Sequence, residues 1–212
     1  MQSEPTINDR IVIIGCGGHA RSIADVILHK DSSAELLFVD ENARPGERIM
    51  GFPVLASIPE EGGRLVLGIG DNARRRCLAG DTRYHTVIAR TAVVSRFASI
   101  ADGCFVGHGA HIGPEAVIGR GTVVNTNAVV EHEVHIGEFC HVAPNSVICG
   151  RSTIGSNVFI GAGASIKDSV AICSDVVIGA GAVIVKDIVT LGIYTGCPAR
   201  LREVGNEISC HL

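Results

Sequence analysis

The chain has 212 residues and a formal net charge of −4, with 46% hydrophobic but only 4% aromatic residues, 26 Gly and no Trp. No basic run stands out, which argues against nucleic acid as a partner, and no apolar stretch approaches the ~18 residues of a membrane span. The first residues, MQSEPTINDR, lack the basic start and apolar run of a signal peptide, and eight Cys without any CxxC fit a reduced, cytoplasmic chain better than a disulfide scaffold.

Residues 10–14 read as a buried strand, followed by Gly15-Cys16-Gly17-Gly18-His19-Ala20 and a helical pattern over 21–29 with Ile23, Val26 and Ile27 on one side. Residues 36–39 form a second strand ending at Asp40. Residues 65–67 form a third, followed by Gly68-Ile69-Gly70-Asp71-Asn72 and a helical stretch over 73–78. This order predicts a three-stranded α/β unit with ligand loops at the strand ends, where such sheets bind nucleotides. Glycine-rich turns let backbone N–H groups approach phosphate at a helix N-terminus. The Gly15–Ala20 run nearly matches the dinucleotide fingerprint, and Asp40 stands where a ribose-binding acid belongs. A unit this short is half a dinucleotide fold, which suits a nucleoside diphosphate rather than NAD. The alternative is a tight turn without a ligand.

From Ile88 onward, every sixth residue to Ile184 is Ile or Val. Two residues before most of them stands a small or β-branched residue, such as Ala110, Thr122 or Cys140; one residue after, Gly recurs, as at Gly107, Gly113 and Gly119. Six is three periods of a strand's two-residue alternation. The pattern predicts short strands and tight corners, wound into a prism with Ile and Val inside and Gly supplying unusual backbone angles at the corners. Three such faces make a coil, giving five to six coils. The domains are expected at residues 1–86 and 87–212, the second ending in a short cap. A solenoid of this kind also serves as a scaffold or as an ice- or metal-binding surface, so the architecture alone does not name a function.

Over residues 125–141 the repeat departs from plain corner chemistry. Asn125 and Glu131 stand where other corners carry Gly, and His132-Glu133 follows at once. N-acylation needs a base, because an ammonium cannot attack a thioester. Histidine has a suitable intrinsic pKa, and a neighbouring carboxylate orients its ring. Adjacent strand residues point to opposite faces, so a His132–Glu133 contact depends on corner geometry.

The GxGGHxR turn, then VDEN, GxPV, GIGDNxxR and the hexapeptides, resemble the hexapeptide-repeat sugar acetyltransferases of bacterial surface-glycan and lipopolysaccharide pathways. These include the N-acetyltransferases of nucleotide-linked 4-amino-4,6-dideoxysugars and the sialic acid O-acetyltransferases. The resemblance runs from about Ile11 to Arg200, with Ala89-Arg90-Thr91-Ala92 departing from the family's usual start of the solenoid. It implies a left-handed parallel β-helix, although the usual crossover rule favours right-handed connections. It also implies a homotrimer with acetyl-CoA as co-substrate in the groove between helices. Residue by residue, it implies His132 as base with Glu133, and His141, Gly150, Ala162 and Ala180 on the coenzyme. Gly15, Gly17, Gly18, His19, Asp40, Gly70, Asn72 and Asn125 would hold the substrate. Lys167 and Lys186 are candidates for the coenzyme phosphates. The expected reaction is acetylation of the 4-amino group of the nucleotide sugar, with sialic acid O-acetylation as the alternative. His108, His111 and His135 raise a zinc site of the γ-carbonic anhydrase type, but the His-x4-His pair of those enzymes is missing, and no metal is expected.

Overall fold

A computed structural model describes residues 10–60 and 62–202. Its first unit is a sheet of five strands rather than three. β1 (Ile11–Ile14), β2 (Leu36–Val39), β3 (Arg48–Ile49), β4 (Phe52–Leu55) and β5 (Arg64–Leu67) lie in the order β3-β4-β2-β1-β5. All pairings are parallel except β3 with β4. The two additional strands form a hairpin around Met50 and Gly51, whose φ values of 51° and 86° make the kind of turn that matches strand twist. Proline at position 53 had masked β4 as a strand. It faces Arg48 of the short outer strand, and pairing with β2 begins only at Val54, so its missing N–H breaks no bond there.

Helix α1 (Gly18–Lys30) buries Ala20, Ile23, Ala24, Val26 and Ile27. This i, i+3, i+4 stripe packs on the sheet and on Val87, Ala89, Phe105 and Val123 of the second unit. Helix α2 (Asn72–Ala79) starts from Asp71, whose side chain accepts from Arg74 N–H at 2.7 Å.

The second unit is a left-handed parallel β-helix. Its strands pair in steps of one coil: His111 with Val129, and Val129 with Val147. They form three faces. The first runs through Val87–Ile88, Phe105–Val106, Val123–Val124, His141–Val142, Phe159–Ile160 and Val176–Ile178, and ends in a hairpin of Gly192–Gly196 and Ala199–Arg202. The second runs from Val93–Val94 to Val183–Ile184, the third from Ser99–Ile100 to Ala171–Ile172. Ile112, Ile118, Ile148, Ile160, Ile166 and Ile178 are fully buried in the prism.

The corner glycines do different work from that expected. The left-handed residue of each corner comes three places after the Ile or Val: Gly103, Gly109, Glu115, Gly121, Asn127, Glu133, Phe139, and so on every sixth residue to Gly181. Non-glycine residues therefore hold most of these strained places. Gly107, Gly113 and Gly137 are needed instead because the next coil passes so close. A Cβ at Gly113 would lie 2.8 Å from His132 N, and one at Gly137 would lie 2.6 Å from Ser156 N.

Candidate active site

Residues 131–134 form the edge between the second and third faces. At this edge Glu133 has φ 58°, which breaks strand alternation and swings its carboxylate to the side of His132. His132 Nδ1 and Glu133 Oε2 are 2.9 Å apart. The carboxylate accepts the Nδ1 proton, so the lone pair of the neutral ring lies on Nε2. Gly150, one coil further on, seats the ring: a Cβ there would lie 2.5 Å from His132 Nε2. The side chains of His132 and Glu133 are 42% and 47% exposed, open to an incoming substrate.

His141 lies half a coil away, on the first face, where the N-terminal unit covers it. Its Nδ1 donates to Gly70 O at 3.2 Å, and its Nε2 accepts from Asn125 Nδ2 at 3.2 Å. Burial, aided by the charge of Arg75, lowers its pKa to about 4. Asn125 also accepts from Thr126 N–H at 2.8 Å. The His19 ring packs edge-on against Phe105 at 5.1 Å and lies 6.0 Å from His141. Burial, then His141 and Arg75, lower its pKa to about 3, and its buried Nε2 has no hydrogen-bond partner among the described residues.

The Gly15–His19 turn, Asp40 and Gly70 converge at the C-terminal ends of β1, β2 and β5, where parallel sheets present ligand sites. Gly15 has φ 106°, and a Cβ on it would lie 2.6 Å from Ile69 Cδ1, so only glycine fits. Gly17 and Gly18 are exposed with open space where a Cβ would be, and α1 has no side-chain cap. The first-turn N–H groups of that helix are thus available to an anion. Asp40 accepts from Asn42 N–H at 3.0 Å and from the Cys16 thiol at 3.2 Å. The Asn42 bond is the main influence holding its carboxyl below the ordinary range.

Asn72 is turned inward. Its Nδ2 donates to Val158 O at 3.2 Å, and its Oδ1 accepts from Arg75 Nη2 at 2.8 Å. Arg75, the arginine of the GIGDNxxR motif, had no role assigned from the sequence; in the structure it joins the two units. It is 1% exposed, and it donates to Ile69 O and Gly70 O of its own unit and to Gly121 O, Phe139 O and Cys140 O of the β-helix. Among the described residues no carboxylate bonds it, and burial lowers its pKa to about 10. The available signal was the Asn72–Arg75 spacing, which puts both on one face of a helix.

Ala162 and Ala180 are exposed on the edge between the first and second faces, with Gly181 N–H donating to Ala162 O at 2.9 Å. Lys167 and Lys186 are exposed. His108 bonds Thr91 Oγ1 at 2.8 Å, and His135 Nδ1 lies 3.2 Å from Glu133 O. Among the described residues no group of three or more His, Cys, Asp or Glu is placed to hold a metal, and no helix is long and apolar enough to cross a membrane.

The PglD N-terminal domain family matches residues 10–81, and the six-repeat bacterial transferase hexapeptide family matches residues 97–132, 115–150 and 151–186. The acetyltransferase domain of PglB from Neisseria gonorrhoeae FA1090, solved in complex with acetyl coenzyme A, is 30% identical with a TM-score of 0.87, over 92% of this chain and 100% of that one. PerB from Caulobacter crescentus, in complex with CoA and GDP-perosamine, is 31% identical with a TM-score of 0.84, over 92% and 97%. WeeI from Acinetobacter baumannii AYE, at 17% identity and a TM-score of 0.60 over 91% and 99%, shares the fold. No curated protein sequence matches the chain. With both of its units matched, and near full-length likeness at 31% identity, the chain belongs to the hexapeptide-repeat sugar acetyltransferases, enzymes that draw their acetyl group from acetyl-CoA.

Proposed function

We propose that the protein transfers acetyl from acetyl-CoA to the 4-amino group of a nucleotide-linked 4-amino-4,6-dideoxysugar, for bacterial surface glycans such as lipopolysaccharide. The observation that carries this reading is the His132–Glu133 pair, 2.9 Å apart on an open corner. Glu133 holds the Nδ1 proton and stabilises the imidazolium once it forms. Nε2 takes a proton from the sugar nitrogen as that nitrogen attacks the thioester carbonyl. A C–N bond forms, the C–S bond breaks, and the coenzyme leaves as the protonated thiol. The nucleoside diphosphate rests on the Gly17 and Gly18 N–H groups, with Asp40 at the ribose. Reaction in the cytoplasm follows from the supply of both substrates there.

The working enzyme is a homotrimer, and the placement of the residues supports this. The nucleotide loop lies over the first face, whereas His132 lies on the edge opposite that face. Likewise Gly150 shares the edge of His132, while Ala162 and Ala180 lie on another. A second copy brings the two sets together, so the amine carried by one subunit meets His132 of the next.

Release of free thiol from acetyl-CoA, assayed with nucleotide 4-amino sugars, tests the chemistry. A free nucleoside diphosphate competes with the sugar and not with acetyl-CoA; no binding or inhibition at millimolar concentration overturns the reading. Mixing His132→Ala chains with Gly17→Val chains tests the shared site. Each variant is inactive alone, and co-refolded mixtures regain activity. No recovery in proven mixed oligomers places the whole site within one subunit.

A further inference from the structure

Resting on that reading, we infer that Glu131 binds the acceptor as an ammonium ion and selects amino sugars over their hydroxyl counterparts. Glu131 and Glu133 flank His132 in the chain on the same edge, Glu133 at its ring and Glu131 at its backbone N–H. Glu133 is committed to the ring. The Glu131 carboxylate is half-buried; its one hydrogen bond among the described residues is from His132 N–H at 3.4 Å, and it has no cationic partner there. It stands at a corner place that one coil earlier is Gly113, where a Cβ points at the following coil. The Glu131 stem therefore leans, like the His132 ring, over Cys149 and Gly150. Its negative charge is felt there, since Glu131 is among the groups that raise the Cys149 thiol, after burial and Asp168. A partly desolvated carboxylate without a cation beside a general base is a seat for a cation, and a primary amine reaches the enzyme mainly protonated. The ammonium loses one proton to solvent to expose its lone pair. It loses the second to His132 as the C–N bond forms, and that proton leaves with the coenzyme thiol. A hydroxyl acceptor carries no such charge, so Glu131 discriminates at binding, before any chemistry.

Calorimetry without acetyl-CoA tests this with GDP-perosamine against GDP-rhamnose, which differ at the 4-amino and 4-hydroxyl groups, and with the equivalent UDP-linked pair. Wild-type enzyme binds the amine of one pair more tightly than its hydroxyl partner. Glu131→Gln loses most of that preference, about tenfold for a hydrogen bond to a charged group, through weaker amine binding alone. Glu131→Asp keeps part of it. The acetyl-CoA KM and the melting temperature stay at wild-type values in both. An unchanged preference in Glu131→Gln, in an enzyme whose wild type acetylates the amine, overturns the Glu131 assignment and leaves the function standing. Wild-type enzyme that binds no amino sugar of either pair overturns both.

Discussion

His132 and His141 lie nine residues apart on the same solenoid, and the fold puts them to opposite uses. His132 sits on an edge away from the covered first face, with Nδ1 held by a carboxylate and a side chain 42% exposed. His141 sits on the covered first face, with both nitrogens bonded inside the chain and its pKa lowered to about 4. A half-coil separation means opposite sides of the prism. The period of the solenoid thus assigns one histidine to solvent and the other to the seam between two units. A histidine fixed between Gly70 O and Asn125 stays neutral at physiological pH, whereas one whose Nδ1 is held by a carboxylate leaves Nε2 open to solvent.

The largest difference is expected in turnover. His132→Ala lowers kcat by about 10²–10⁴-fold, the usual cost of a lost general base, with the melting temperature unchanged because the ring is half-exposed. More than half of wild-type kcat in this variant removes His132 from the chemistry.

The next contrast is in stability against pH. His141 and His19 have folded-state pKa values of about 4 and about 3, against about 6.5 for an unfolded histidine. Between those values the unfolded chain binds more protons than the folded one. The contribution of these rings is therefore complete above about pH 6.5 and is lost as pH falls towards 4. For His141 the loss is on the order of 3 kcal/mol. Urea unfolding at pH 7.5 and 4.5 measures it. His141→Gln narrows the gap between the two pH values. Equal gaps in wild type and His141→Gln refute the neutral seam histidine.

A smaller effect is expected from Gly150→Ala, which puts a methyl group within 2.5 Å of His132 Nε2 and tips the ring from its seat. Turnover falls by about tenfold, the sensitivity expected of a base that needs hydrogen-bond reach to its proton, while the folded state holds. Activity within twofold of wild type shows that the ring is not seated by this glycine.

Much of this was legible in the sequence. The Ile and Val at every sixth place announce the prism because each fills the same inward position, Ile112 and Ile148 alike. The substitution of Glu131 for a corner glycine, with His132-Glu133 behind it, marked the edge where the structure pairs His132 with Glu133. The left-handed corner positions were not legible, since Phe139, Arg151 and Ser169 hold some of them beside Gly and Asn, and no single residue type marks the series. β4 was hidden by Pro53, and its pairing is set by a hairpin with Arg48 and Ile49 that has no strong strand signal of its own. Arg75 was in view as the arginine of GIGDNxxR, but only the docked β-helix shows why that one of three successive arginines turns inward.

The partners of Arg75 across the seam are the carbonyls of Gly121, Phe139 and Cys140. These are main-chain atoms, which every coil offers in the same place whatever side chains it bears. At this point the joint therefore asks nothing of the solenoid's side chains, whereas His141 on Gly70 O, Arg120 on Gly80 O and Phe105 against His19 ask for particular ones. Coil residues that meet only the Arg75 fork are free to diverge while that part of the docking holds.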